Sequence, residues 1–202
     1  MERKKMTALD LSLGSMFVAL MAIGANITSI APFLEVGGVP ITLQTFFGIL
    51  AGLILGSRLG AFSLFVYMML GLAGARIFAQ FGGGPGTLIS PTFGFILSYI
   101  LMAYIVGKIV ERERTLPKYI LAALIGMAIN YIVGTNWMYA AYILWFEAPG
   151  NFSYSLAWAW MMAPLPKDII LSVLAGIFAY RLERSVLSKS RYRKQQTYTT
   201  SA

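Results

Sequence analysis

The charged residues of this chain fall in short clusters separated by long apolar stretches, and that spacing limits the fold more than any other feature. No Asp, Glu, Lys or Arg occurs from Leu11 to Leu34, Val36 to Ser57, Leu59 to Ala75, Ile77 to Gly107, Tyr119 to Phe146 or Ala148 to Pro166. A helix crosses a bilayer core with about 20 apolar residues, or with as few as about 17. Backbone in lipid must satisfy its own hydrogen bonds, which leaves helices or closed barrels, and runs this continuous lack the alternation of barrel strands. The expectation is an all-α integral membrane bundle of six spanning helices. With 202 residues, 58% of them hydrophobic and 12% charged, six helices use nearly the whole chain and leave no soluble catalytic module.

The formal charge of +8 takes its meaning from where the charges fall. If the N-terminus is cytoplasmic, the inner group comprises residues 1–10, Arg58, the 108–118 loop and everything from Arg181 onward. It holds 14 of the 16 Lys and Arg and 5 of the 8 acids, net +9, against −1 for the outer group of Glu35, Arg76, Glu147, Lys167 and Asp168. This is the positive-inside pattern, with both termini in the cytoplasm. The basic excess reports orientation in a lipid bilayer and argues against nucleic acid as a partner. The initial ERKK reads as the flank of a retained first helix, because further spans follow, and not as a secretory signal.

The chain has no Cys and no His, which removes disulfides, thiolate metal sites, the commonest metal ligand and the commonest general base. No metal, cofactor or enzymatic chemistry is expected. The glycine-rich GGGPG at 82–86 is not part of any G-x-x-x-x-G-K-[ST] sequence, so transport against a gradient would draw energy from a partner or an ion.

Six segments follow in order. The first span runs from about Leu9 to Ile30. Pro32, Gly37, Gly38 and Pro40 then break helix in an outer loop or re-entrant piece. The second span, Phe46 to Gly56, turns at Gly56–Gly60 into a third that climbs to Arg76, a rise of roughly 27 Å from Arg58. An outer loop with Gly82–Gly86, Ser90 and Pro91 leads to a fourth span ending at Lys108. The fifth rises from Lys118 to Trp145, and the last descends to Arg181 after a loop over Phe146–Ser155. Residues 1–188 form one membrane domain, and 189–202 a polar cytoplasmic tail.

Asp168 and its neighbour Lys167 stand out chemically. Thirteen residues separate Asp168 from Arg181, which lifts the carboxylate roughly 20 Å above the inner anchor, into the membrane core. Ionisable groups there face a cavity or a partner; the alternative is an acid in the first turn after Pro164 and Pro166, favoured by the helix dipole. Arg76 could clamp a substrate carboxylate, or pair with Glu35 or Glu147, or anchor its helix end. Asn130 beside Tyr131 places an amide near mid-membrane, with Asn26, Gln44, Thr45 and Asn136 on upper segments. Such groups either bond a neighbouring helix or, with Trp137, Tyr139, Tyr142, Trp158 and Trp160, line an apolar pocket with a few placed polar groups. Those aromatics also suit an interfacial belt. Ser15 and Ala19 on the first span form a small-xxx-small pattern, a surface for another membrane subunit or for packing within the bundle.

The stretch GGVPITLQTFFGILAGLILGSRLGAFSLFVYMMLGLAG (37–74), followed by IFAQFGGGPG and SPTFGF, closely resembles the BioY family, the biotin-binding S components of energy-coupling factor (ECF) transporters. The resemblance runs from the first span to the last, and PITLQT is its most specific part. It implies the six-helix S-component fold and a binder of biotin open to the outside. It also implies partnership with a transmembrane coupling subunit and two cytoplasmic ATPase subunits, which hydrolyse the ATP. Ser15 and Ala19 match the small residues through which such proteins meet the coupling subunit. Asp168 matches the acid of the last-helix motif P-x-D-x-x-K. Three positions depart from the pattern: Leu171 stands where the motif has lysine, Arg76 replaces a proline, and Phe93 replaces the first glycine of a PTGG run. The ligand-contact expectation is therefore Asp168 for the ureido N–H groups, Lys167 or Arg76 for the carboxylate, and Gln44, Asn130, Gly83 and Gly84 closing the site. A biotin precursor or another small vitamin is the alternative cargo.

Overall fold

The apolar runs fold as helices, and the breaks fall at glycine, proline and charged positions. The computed structural model describes residues 6–27, 35–36, 39–40 and 41–185. The initial ERKK, the breakers Pro32, Gly37 and Gly38, and the 189–202 tail lie outside the described residues.

Helix α1 (Ala8–Asn26) opens on a capping box. Thr7 Oγ1 accepts from the Asp10 N–H at 3.1 Å, and Asp10 Oδ2 accepts from the Thr7 N–H at 2.9 Å, so two otherwise orphaned donors are satisfied. A two-residue antiparallel hairpin, β1 (Glu35–Val36) and β2 (Val39–Pro40), leads into α2 (Gln44–Leu55). Gly56, at φ 83, takes a left-handed conformation that few other residues adopt and reverses the chain into α3 (Ser57–Leu72). Two 3-10 turns, Ala79–Phe81 and Pro85–Ile89, precede α4 (Phe93–Arg112), α5 (Leu116–Leu144), α6 (Tyr154–Met161) and α7 (Leu165–Ser185).

Among the described residues α1, α4 and α5 are each long and apolar enough to cross a membrane, and α6 with α7, bent by 52°, is long and apolar enough when the pair is taken as one broken span. The other two expected spans are shorter as helices. The 12 residues of α2 rise only about 18 Å at 1.5 Å per residue, short of a bilayer core. Helix α3 stops at Leu72, four residues short of Arg76, where the chain leaves helical geometry at Gly74 (φ 108).

Specific contacts bring four chain features to one end of the bundle. Gly14 of α1 sits against Ser63 and Leu59 of α3. Glu111 of α4 accepts from the Ser57 N–H at 2.7 Å, capping α3 across the α2–α3 turn. Arg114 pairs with Glu183 at 3.0 Å and ties the α4–α5 link to the end of α7. The start of α1, both inter-helix turns and the end of α7 therefore share one face, where Arg58, Lys108, Arg112, Lys118 and Arg184 also lie.

That end is held by close backbone approach. A Cβ on Gly107 would lie 2.2 Å from the Ser57 backbone nitrogen, and one on Gly52 would lie 2.7 Å from the Ala103 carbonyl oxygen. Small residues permit such contact where lipid supplies no hydrophobic drive between helices. Around it pack Phe17, Met21, Leu53, Leu64, Met102 and Val106, all at most 1% exposed. Gly107→Leu should drive α4 off the α2–α3 turn at a cost of about 3 kcal/mol or more, read as a large fall in thermal midpoint of the detergent-purified protein. Gly150→Ala, into open space, should change stability by less than about 0.5 kcal/mol.

Candidate functional site

The opposite end of the bundle is not close-packed. The starts of α2, α4 and α7, the upper half of α5 and the 78–92 segment diverge around a cavity of about 600 Å³, inside the roughly 300–1,000 Å³ range of small-molecule sites. Apolar walls come from Ile41, Phe78, Phe95, Ile96 and Met161, and aromatic ones from Tyr99, Tyr142 and Phe146.

Asp168 lies in the first turn of α7 and is 6% exposed. Its two oxygens have different partners. Oδ2 accepts the Tyr131 hydroxyl from α5 at 2.7 Å, and Oδ1 meets Lys167 Nζ at 2.8 Å. Both readings of this acid hold together: it starts a helix, where the dipole favours a negative charge, and it faces the cavity. A carboxylate offers roughly four acceptor positions. With two taken, two are left for N–H donors arriving from the cavity.

Lys167 also lines the cavity, and its Nζ donates to the Thr42 carbonyl oxygen. It straps the start of α7 to the segment ahead of α2. Removing the Lys167 charge would leave the buried Asp168 carboxylate without its counter-ion.

The amides expected in the pocket are there, but mostly engaged. Asn130, 2% exposed, donates from Nδ2 to Ser98 Oγ at 2.7 Å and accepts from Thr45 Oγ1 at 3.3 Å. Gln44 donates from Nε2 to the Tyr67 hydroxyl at 2.9 Å, and that hydroxyl donates to the Ile77 carbonyl at 2.8 Å. Both line the cavity and hold its walls in place. Asn136 lies apart, bonded to the Ile132 carbonyl and to Tyr154.

The glycine-rich segment divides. Gly83 bounds the cavity and packs so tightly on Ala75 that a Cβ would lie 2.4 Å from its carbonyl oxygen. Gly84, at φ 94, is not among the lining residues; it shapes the turn and donates its N–H to the Gly71 carbonyl at 2.7 Å. Arg76 is exposed and also absent from the lining, so the cation beside the cavity carboxylate is Lys167. Ser15 and Ala19 are exposed on the outer face of α1, whereas Gly14, Phe17 and Met21 of the same helix turn inward. The small-residue stripe does not pack within its own bundle.

Sequence reasoning gave no role to the Tyr131 hydroxyl, the Thr42 carbonyl, or Phe95, Tyr99 and Phe146. No local signal announces them, because Tyr131 meets Asp168 only through the antiparallel packing of α5 on α7. Tyr131→Phe should remove a hydrogen bond to a buried charge and cost about 2 kcal/mol. The thermal midpoint should fall more than in Tyr104→Phe, whose ring is 44% exposed; equal midpoints would refute the clamp.

A family model described as the BioY family matches residues 1–188. BioYB of Bacillus subtilis (strain 168) is 42% identical over 202 residues, covering 99% of this chain and 100% of that protein. The biotin transporter BioY of Rhodobacter capsulatus is 36% identical over 154 residues, 70% of this chain and 77% of its own. Among solved structures, the S-component for biotin from an ECF-type ABC transporter superposes with a TM-score of 0.73. It covers 90% of this chain and 96% of that one at 19% sequence identity, a likeness of fold.

Proposed function

This chain belongs to the BioY family, and from that premise we propose that it is the biotin-binding S component of an ATP-driven ECF uptake transporter. It works as a membrane subunit and not as an enzyme. The observation that carries the reading is the buried Asp168 carboxylate, clamped by Tyr131 and Lys167 in the wall of a 600 Å³ cavity. Biotin presents two ureido N–H donors, one carbonyl, an apolar thioether ring and an anionic valerate. The two open acceptor positions of Asp168 suit the paired N–H groups. Aromatic and aliphatic walls suit the ring and chain, and Lys167 balances the charge of Asp168 at the ureido end.

Six membrane segments with both termini in the cytoplasm fit the charge distribution: the cluster-bearing face is then inner, and the cavity opens toward the outside of the plasma membrane. Biotin captured there is passed inward by a complex with a transmembrane coupling subunit and two cytoplasmic ATPases. The exposed Ser15 and Ala19 stripe on α1 is the surface that meets the coupling subunit, since small side chains allow close helix approach. A second reading, a biotin precursor or another small vitamin as cargo, draws on Leu171, which replaces the motif lysine and does not line the cavity.

Labelled biotin should bind the detergent-purified protein, and Asp168→Asn should weaken binding by at least about 100-fold, the scale of two charge-assisted hydrogen bonds. Arg76→Gln should change affinity by less than about threefold. A folded wild type that ignores biotin but is stabilised by another vitamin would transfer the site to that cargo. Ala19→Trp should leave biotin binding intact while abolishing co-purification with the coupling subunit and uptake into cells; unchanged co-purification would move the docking surface elsewhere.

A further inference from the structure

The segment between α3 and α4 forms one wall of the cavity through Gln80, Gly82, Gly83, Gly86 and Thr87, and its first turn is backbone that side chains rarely adopt. Gln80 (φ 57) and Phe81 (φ 53) are consecutive non-glycine residues in the left-handed region. Such a conformation persists only where the surroundings over-determine it. Phe81 is 60% exposed, so burial of its own ring does not compensate.

The compensation comes from Asn26, the last residue of α1. Its Oδ1 accepts the Phe81 N–H at 2.7 Å, while Nδ2 donates to its own helix at the Ala22 carbonyl at 3.0 Å and reaches the Ile77 carbonyl at 3.5 Å. One carboxamide thus grips both ends of the 77–81 turn, which the Phe78 N–H to Gly82 carbonyl bond closes from within at 3.1 Å. The same Ile77 carbonyl accepts from Tyr67, and Phe78, 2% exposed, stands edge-on to the Tyr67 ring. Farther along, the indole N–H groups of Trp137 and Trp145 hold the Ser90 and Ile89 carbonyls at 3.1 and 2.6 Å. The wall is therefore pinned to α5 at its far end, to α3 at its root, and to α1 through Asn26 at its strained turn.

We propose that Asn26 is a positioning residue for ligand retention: by clamping the Gln80–Phe81 turn to α1 it keeps the glycine-rich wall against the cavity and sets how fast bound ligand leaves. This rests on the cavity being the biotin site. Asn26 does not itself line the cavity, so it reaches the ligand only through that wall.

Dissociation of labelled biotin from the purified full chain tests this in wild type, Asn26→Leu and Asn26→Asp. Asn26→Leu, which lacks the acceptor, should raise the dissociation rate about tenfold with little change in association, the scale of one hydrogen bond. Asn26→Asp keeps the acceptor for the Phe81 N–H but loses the donor that meets the Ala22 and Ile77 carbonyls, so its rate should lie between those of wild type and Asn26→Leu. Asn26→Ala serves the same arm if the leucine variant does not fold. A wild-type dissociation rate in Asn26→Leu, or equal acceleration in both variants, overturns the proposal. A readout without ligand separates it from the biotin reading. The chain has no cysteine, so Ile96→Cys, on the cavity wall and 7% exposed in its native form, reports access through its modification rate by a hydrophilic maleimide. That rate should rise when Asn26→Leu is added; an unchanged rate sinks the role of Asn26 whatever the cargo. Faster labelling in a protein that does not bind biotin would remove biotin and leave Asn26 in place.

Discussion

A carboxylate withdrawn from water needs a partner for each oxygen, and the ligand end of this bundle is organised around meeting that need at Asp168. Tyr131 reaches it from α5 and Lys167 from its own helix, and the Lys167 ammonium is in turn fixed by the Thr42 carbonyl. Three chain segments that are distant in sequence are joined by these bonds. The group best suited to greet N–H donors is therefore also one that joins the walls.

The two ends of the molecule solve opposite problems. At the charged end, Gly52, Gly107 and Ser57 let α2, α3 and α4 touch backbone to backbone, and Glu111 and Glu183 satisfy a helix start and an arginine. That end is dense because nothing is to enter it. At the other end the helices part, aromatic side chains line the opening, and an irregular glycine-rich segment covers what the helices leave open. Irregular backbone is tolerated at membrane depth only where protein or a water-filled cavity surrounds it, and the bonds from Asn26, Tyr67, Trp137 and Trp145 supply such surroundings for residues 77–90. A close-packed end and a cavity end with a pinned covering suit a subunit that holds a small molecule without chemistry.

Much of this was legible in the residues. Charge spacing located the helices, because a lipid-crossing segment cannot carry unpaired charge, and the depth of Asp168 marked it as the group to explain. The amides Gln44 and Asn130 were found as polar residues in apolar runs, with bonding to a neighbouring helix as one of two expected roles, but their partners were not. Each spends its donors on a neighbour, Tyr67 for one and Ser98 for the other, and spacing along one helix says nothing about which side chain a second helix will present. Arg76 shows the converse. Its guanidinium suits a carboxylate, but the helix that was to carry it ends at Leu72, and the chain beyond Gly74 turns the residue away from the cavity.

The sequence by itself determined the solvent of this protein, the order of its helices and the end at which its charges gather, because hydropathy and charge act locally and add along the chain, and its motifs carried the resemblance to its family. Tertiary structure decided the site. Tyr131 against Asp168, Lys167 against Thr42 and Asn26 against Phe81 are pairs separated by 37, 125 and 55 residues; the helix crossings that create them depend on glycine contacts and on a bend between α6 and α7. The same crossings turn Ser15 and Ala19 outward while Gly14 turns in. Which small residues of α1 are spent on its own bundle and which are left exposed is a matter of rotation about the helix axis, and packing against α3 fixes that rotation.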